Sequence, residues 1–108
     1  MSIHLIKLAD YTKFPSVRYK ADGPSSGEQF RDDYIVPALN LHYQIIIDLN
    51  GVPGYPTSWI EEVFGGLVRV NQFKVNDLRA RLLLDVADRL QEAEIWLHIE
   101  GADGDVSK

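Results

Sequence analysis

The residues best equipped for chemistry lie in one run, Pro56-Thr57-Ser58-Trp59-Ile60-Glu61-Glu62, where two adjacent hydroxyls precede two adjacent carboxylates. A serine hydroxyl becomes a nucleophile when a base takes its proton and a third group orients that base. Asp85 and His98 follow Ser58 in the chain order of α/β-hydrolases, but Pro56 and Ile60 stand where a nucleophile elbow needs glycines. No nucleophile, base and orienter can be named together, so the chain is not expected to be an enzyme. Glu61 and Glu62 are helix neighbours and point in different directions, so they do not form an acid–base pair. His4, His42 and His98 are scattered and cysteine is absent, which removes metal-ligand spacing and thiolate chemistry from consideration. No Gly-x-Gly-x-x-Gly or Walker run occurs, so no cofactor is expected. The hydroxyl pair itself remains. At a helix start beyond a central strand it offers a place for a phosphate or a partner contact; equally, Ser58 is an ordinary N-cap.

The elements that must position this pair can be read around it. Ile45, Ile46, Ile47 and Leu49 form a short β-branched apolar run, the pattern of a strand covered on both faces, which should sit centrally in its sheet. Asn50-Gly51 and Pro53-Gly54 then force turns. Ser58 with Glu61 fits a capping box, which starts a helix over residues 58–70 with Ile60, Val63, Phe64, Leu67 and Val68 on its apolar face. Gly65-Gly66 inside that helix costs about 1 kcal/mol per glycine. Such a pair implies either tight packing on the sheet or a close helix–helix contact in a homodimer.

Upstream, residues 3–8 read as a first strand, and residues 10–24 as a loop or broken hairpin arm. Ser25 with Glu28 makes a second capping box before a helix running from about 26 toward 40, with Phe30, Tyr34, Ala38 and Leu41 as its buried stripe. Pro37 removes a hydrogen bond to the Asp33 carbonyl, so a kink or early end is expected. Downstream, residues 71–77 read as a connection and 81–84 as a third strand. Asp85 would then cap a last helix carrying Val86, Leu90, Ala93 and Leu97. One continuous helix over residues 77–99 competes with that reading. Alternating strands and helices predict an α/β domain over residues 1–100, with a four- or five-stranded mixed sheet and helices packed on it. Residues 101–108 read as a flexible tail.

Sixteen acidic residues against eleven basic ones leave a net charge of −5, which disfavours binding to a phosphate backbone, so no nucleic-acid partner is expected. No apolar run is long enough to span a bilayer and no signal-type segment opens the chain, so no membrane association and a cytoplasmic location are expected.

The run Asp48-Leu49-Asn50-Gly51-Val52 followed by Ser58 resembles the STAS domain of bacterial anti-sigma-factor antagonists, whose central strand ends in Asp-Leu-Ser-x-Val and whose next helix opens on Asp-Ser-Ser-Gly. Laid over this chain, the two family serines fall on Thr57 and Ser58. The family aspartate before them is Pro56 here, and the glycine after them is Trp59. More specifically, Arg18-Tyr19, Gly23-Pro24-Ser25-Ser26-Gly27-Glu28 and Glu61-Glu62-Val63-Phe64-Gly65-Gly66-Leu67 resemble runs of the STAS-like domain family of unknown function. The resemblance implies a regulator that binds an anti-sigma factor with a histidine-kinase-like ATPase fold and is switched by phosphorylation of Ser58, with Thr57 the second candidate. The implied contact surface is the turn and helix start, with Tyr55, Ser58, Trp59 and Glu62 central and Arg18 nearby. The alternative is a constitutive adaptor or dimerisation module in which Ser58 only caps.

Overall fold

In a computed structural model, the backbone of residues 3–106 is described, with side chains from 3 to 103. Three strands form one parallel sheet in the order β1-β2-β3: β1 is Ile3–Lys7, β2 is Gln44–Asp48 and β3 is Leu82–Asp85. The Ile-rich run is the central strand, as its composition predicts. The sheet differs from the mixed, four- or five-stranded one expected: among the described residues it has three strands, all parallel. The segment over residues 10–24 contributes no strand. It is instead held by Ser16 N–H on Ser25 O at 3.3 Å, Gly27 N–H on Val17 O at 3.0 Å and Glu28 N–H on Arg18 O at 3.0 Å.

A short helix α1 (Leu8–Tyr11) follows β1 and buries Leu8. Helix α2 covers residues 27–41 in three parts: an α turn Gly27–Phe30, a π-helical turn Arg31–Ile35, and an α segment Val36–Leu41. Its cap is Ser26, whose hydroxyl accepts from Gln29 N–H at 3.0 Å. The cap is therefore displaced by one residue from the Ser25 expected, and it is a single bond rather than a reciprocal box. Ser25 sits at φ 58° and faces Thr12, and Glu28 Oε1 accepts from Lys20 N–H. The irregularity predicted at Pro37 lies just before it. The missing proline N–H leaves Asp33 O without its α-helical donor, and the wider π turn absorbs the ring without ending the helix. That extra residue also rotates the buried face. Phe30, Arg31, Ile35, Ala38 and Leu39 are buried, whereas Tyr34 and Leu41 are 42% and 78% exposed.

Helix α3 covers residues 57–69 and repeats the plan: α turn Thr57–Ile60, π turn Glu61–Gly65, α turn Gly66–Arg69. All five predicted apolar positions are buried, because α3 is the middle helix of the layer, with α2 on one side and the last helix on the other. It closes with Gln72 at φ 64°, which lets Gln72 N–H reach Val68 O and Phe73 N–H reach Leu67 O. Residues 75–81, read from sequence as part connection, form helix α4 (Val75–Arg81). Its last residue, Arg81, donates to the Leu39, His42 and Tyr43 carbonyls and so satisfies the end of α2.

The strand-plus-helix reading of residues 78–99 holds, but Asp85 belongs to β3 and Asp88 does the capping, accepting from Leu90 N–H at 2.9 Å. Helix α5 (Arg89–Val106) buries Ile95, Ile99 and Ala102, while Leu90 and Leu97 face outward. It passes through Gly101, where a tail was expected; residues 107 and 108 lie outside the described residues.

Ser26→Ala should lower stability by about 1 kcal/mol, and Ser25→Ala by clearly less, in urea unfolding followed by circular dichroism. Equal losses would contradict the displaced cap.

Candidate functional site

The carboxyl ends of β2 and β3 are tied together by one side chain. Asp48 Oδ1 accepts from Asn50 N–H and Nδ2, both at 2.9 Å, and the same Nδ2 lies 3.3 Å from the Asp85 carbonyl and carboxylate. Asn50 Oδ1 accepts in turn from Ala87 N–H at 3.3 Å. Gly51 turns at φ 87° with Ala9 Cβ 3.1 Å from where its own Cβ would stand, so both the angle and the space call for glycine. A crevice of about 350 Å³ opens over these strand ends, walled by Asn50, Val52, Tyr55, Val86, Asp88 and Gln91. This is where open parallel sheets receive ligands. Burial pushes the half-buried Tyr55 phenol up, and the carboxylates of Asp88 and Glu94 push it the same way.

Thr57 and Ser58 stand at the rim of this turn, and both are exposed. Ser58 does not cap α3. The helix begins one residue early, with Pro56 extended at ψ 151° as its cap, making no side-chain bond. Trp59 and Ile60 N–H bond the Pro56 carbonyl at 3.0 and 3.2 Å, so Thr57 and Ser58 fall inside the first turn with their own N–H groups free of intrahelical acceptors. Neither hydroxyl makes a hydrogen bond among the described residues, to Asp85, to His98 or to any other group.

Trp59 and Glu62, expected on a partner surface, are interior. Trp59 is fully buried, stacked on Phe30 at 5.5 Å and Tyr55 at 6.1 Å, with its indole N–H on Ser25 O at 2.9 Å. Its backbone carbonyl stands 2.7 Å from where a Gly27 Cβ would be, so α2 begins against α3 at glycine contact distance. Glu62 is 3% exposed and gathers three arginines: Arg31 at 2.6 Å, Arg18 at 2.9 Å and Arg69 at 3.4 Å. Glu61 takes Arg18 at 2.5 Å and both Arg69 nitrogens, at 2.7 and 3.1 Å. Arg31 is itself 1% exposed, bonding the Glu62 carbonyl at 2.8 Å and Asp32 at 3.1 Å.

This cluster explains Gly65-Gly66. A Cβ on Gly66 would overlap the Arg31 guanidinium, and one on Gly65 would overlap the Glu61 carboxylate. The glycines make room for an ion network within the chain, with Arg31, Glu61 and Arg69 rather than the sheet against them. Sequence reading missed Arg31, because nothing in its local spacing marks a partner 31 residues away.

Three arginines against two glutamates also remove the negative charge that Glu61 and Glu62 would otherwise place beside Ser58. Burial pushes the Glu61 carboxyl up, but hydrogen bonds from Arg69 and Arg18 outweigh it and hold its pKa below the ordinary 4.5. Among the described residues no three histidines, cysteines or carboxylates gather as a metal site, and no helix is long and apolar enough to cross a membrane.

Helix propensity alone favours alanine at Gly66 by about 1 kcal/mol, yet Gly66→Ala should destabilise by about 1–3 kcal/mol. Gly101, with open space around its Cα, is the matched control and should gain stability as alanine. Arg31→Ala should cost about 3–5 kcal/mol by leaving Glu62 buried without its closest cation. Because the Glu61 pKa is lower folded than unfolded, its contribution is complete above about pH 4.5 and is lost as pH falls through the folded value. Glu61→Gln should flatten the acid limb of a series of thermal melts, and an unchanged limb would contradict the pairing.

No curated protein and no solved structure matches the chain. The family model described as a STAS-like domain of unknown function matches residues 26–85, from the α2 cap to the end of β3. That span holds the Arg31–Glu62 pair, the hydroxyl pair and the Asp48, Asn50 and Asp85 side chains of the strand-end clamp, and the chain belongs to this STAS-like family.

Proposed function

We propose that this protein is a cytoplasmic regulator that acts by binding another protein through the turn after β2 and the start of α3, and that phosphorylation of Ser58 releases the partner. The observation that carries this reading is the uncommitted state of Thr57 and Ser58. Both are exposed, neither caps the helix, and the free N–H groups of the first turn are available to an added phosphate. A phosphate brings about −1.5 to −2 charges. The folded chain accepts that charge because Glu61 and Glu62 are already neutralised by arginine. A partner surface fitted to the neutral hydroxyl does not. The likeness to anti-sigma-factor antagonists makes a histidine-kinase-like ATPase, acting as an anti-sigma factor, the partner of first choice. The contact residues are then Tyr55, Thr57 and Ser58, with Trp59 and Glu62 shaping the surface from beneath and Arg18 holding the cluster at its edge. Binding is preferred over catalysis because the Ser58 hydroxyl has no base beside it.

The test is recovery of the tagged full chain from its own cells, with phosphosite mapping and identification of co-purifying proteins. Phosphate on Ser58 or Thr57 beside an ATPase is the expected result. Ser58→Asp should then weaken that complex at least tenfold while leaving the melting temperature unchanged or slightly raised, since an acidic residue suits a helix's first turn. Ser58→Ala should keep the complex and shift stability by less than about 0.5 kcal/mol. An unmodified pair, with a complex indifferent to Ser58→Asp, would replace the switch with a constitutive adaptor.

A further inference from the structure

Both crossovers of this sheet, β1 to β2 and β2 to β3, move in the same direction, and right-handed connections therefore put α2, α3 and α4 on the same side. Helix α5 joins them there by packing on α3. Strand alternation sends His4, Ile6, Ile45, Ile47 and Leu82 into that layer; His4 stacks on His42 at 4.6 Å. The other face carries Ile3, Leu5, Ile46 and Leu83. Leu5, Ile46 and Leu83 are paired in register across the three strands, and Ile3, Leu5 and Leu83 are 58%, 49% and 41% exposed. Parallel sheets occur almost only with both faces covered. Here, among the described residues, one face leaves its outer strands exposed around the apolar row Leu5, Ile46 and Leu83, with Gln44 beside Ile3 at its edge.

The charges bordering this face say what covers it. In the next row on the same face, Lys7, Asp48 and Asp85 stand in register. Among the described residues the Lys7 side chain has no hydrogen bond or ion pair. Asp48 and Asp85 lie on adjacent strands with only Asn50 and no cation between them. A two-fold axis parallel to the strands and passing over Ile46 lays β1 of one chain on β3 of the other. Leu5 then meets the second copy's Leu83, Ile46 meets itself, and Lys7 meets the second copy's Asp85, twice by symmetry; these two attractive pairs flank one Asp48–Asp48 approach on the axis, where each carboxylate is held by its own Asn50. The twist of stacked sheets, about 30°, is within the reach of a lysine side chain at the end of such a row.

We infer that the bare sheet face is a self-association surface, and that its occupant is a second copy of this chain, stacked sheet to sheet with Lys7 opposite Asp85. This inference does not depend on the phosphorylation reading. A three-stranded face is small, so the dimer belongs to the weak class of specific interfaces. Sedimentation analysis of the full chain from about 10 µM to about 1 mM should show a monomer–dimer equilibrium. Lys7→Glu and Asp85→Lys should each weaken it about tenfold or more, and the two combined should restore it to within about threefold of the original. Leu83→Gln should abolish it; if that variant does not fold by circular dichroism, Leu5→Gln makes the same test from the opposite strand. A chain that stays monomeric throughout, or a dimer indifferent to Leu83→Gln and to both charge reversals, overturns the inference. Single reversals without rescue in the combination overturn the Lys7–Asp85 register.

Discussion

Arg31 and Glu62 meet where α2 and α3 cross, and most of what is distinctive in this domain follows from keeping that pair out of water. Burying a guanidinium and a carboxylate carries a desolvation cost that Coulomb attraction alone does not reliably repay. It is met here by satisfying the remaining polar atoms. Arg31 also bonds the Glu62 carbonyl and Asp32, and the second oxygen of Glu62 takes Arg18 and Arg69. Each of those contacts constrains something else. Arg18 anchors the loop before α2, Arg69 ties the last turn of α3 to its middle, and Gly66 keeps the space that Arg31 fills. Helices α2 and α3 each open a π turn beside the pair, where a π turn spreads residues that 3.6-residue spacing would stack.

The same network sets the electrostatics of the exposed helix start. Residues three and four positions after Ser58 are glutamates, which in an isolated helix would face the hydroxyl and oppose a phosphate. With both carboxylates occupied by arginines, the first turn keeps its free N–H groups and loses that opposing charge. A structural ion cluster in the interior thus sets the charge at the rim, and Trp59 and Glu62, expected on the surface, lie buried beneath it.

Much of this was legible in the chain, and the failures have identifiable causes. Strand β2, the turn at Asn50-Gly51 and the helix after it follow from local rules, because an apolar β-branched run, an Asn-Gly step and a proline at a helix start each act within a few residues. The place of Ser58 was legible and its role was not: Pro56 and Ser58 both satisfy start signals, and only the backbone decides between them. Ser25 and Ser26 pose the same ambiguity one element earlier. Helical spacing selected Tyr34 and Leu41 because it assumes 3.6 residues per turn, and the π turn moves the buried set to Ile35 and Leu39. In α5, Leu90 and Leu97 share the seven-residue repeat expected of a buried stripe, yet Ile95, Ile99 and Ala102 face the core. Periodicity supplies spacing but not phase. The Arg31–Glu62 pair was out of reach altogether, since it is specified by two helices meeting and by neither alone.

The bare sheet face is likewise a consequence of order rather than of local sequence. Ile46 lies in an unbroken apolar run that reads as buried on both faces, yet two successive crossovers in one direction leave one of those faces without a helix among the described residues. In the sheet-to-sheet dimer inferred above, the two-fold axis runs parallel to the strands, so the carboxyl ends of both sheets point the same way. The two Asn50 clamps and the two Ser58 positions then stand at one end of the assembly. A partner that is itself two-fold would engage both at once, and the second contact would form at the high effective concentration set by the first. Under the release by phosphorylation proposed above, modification of one Ser58 would remove that second contact while leaving the first. Release would then depend on the number of phosphates per dimer, a graded response that a monomer with the same site does not have.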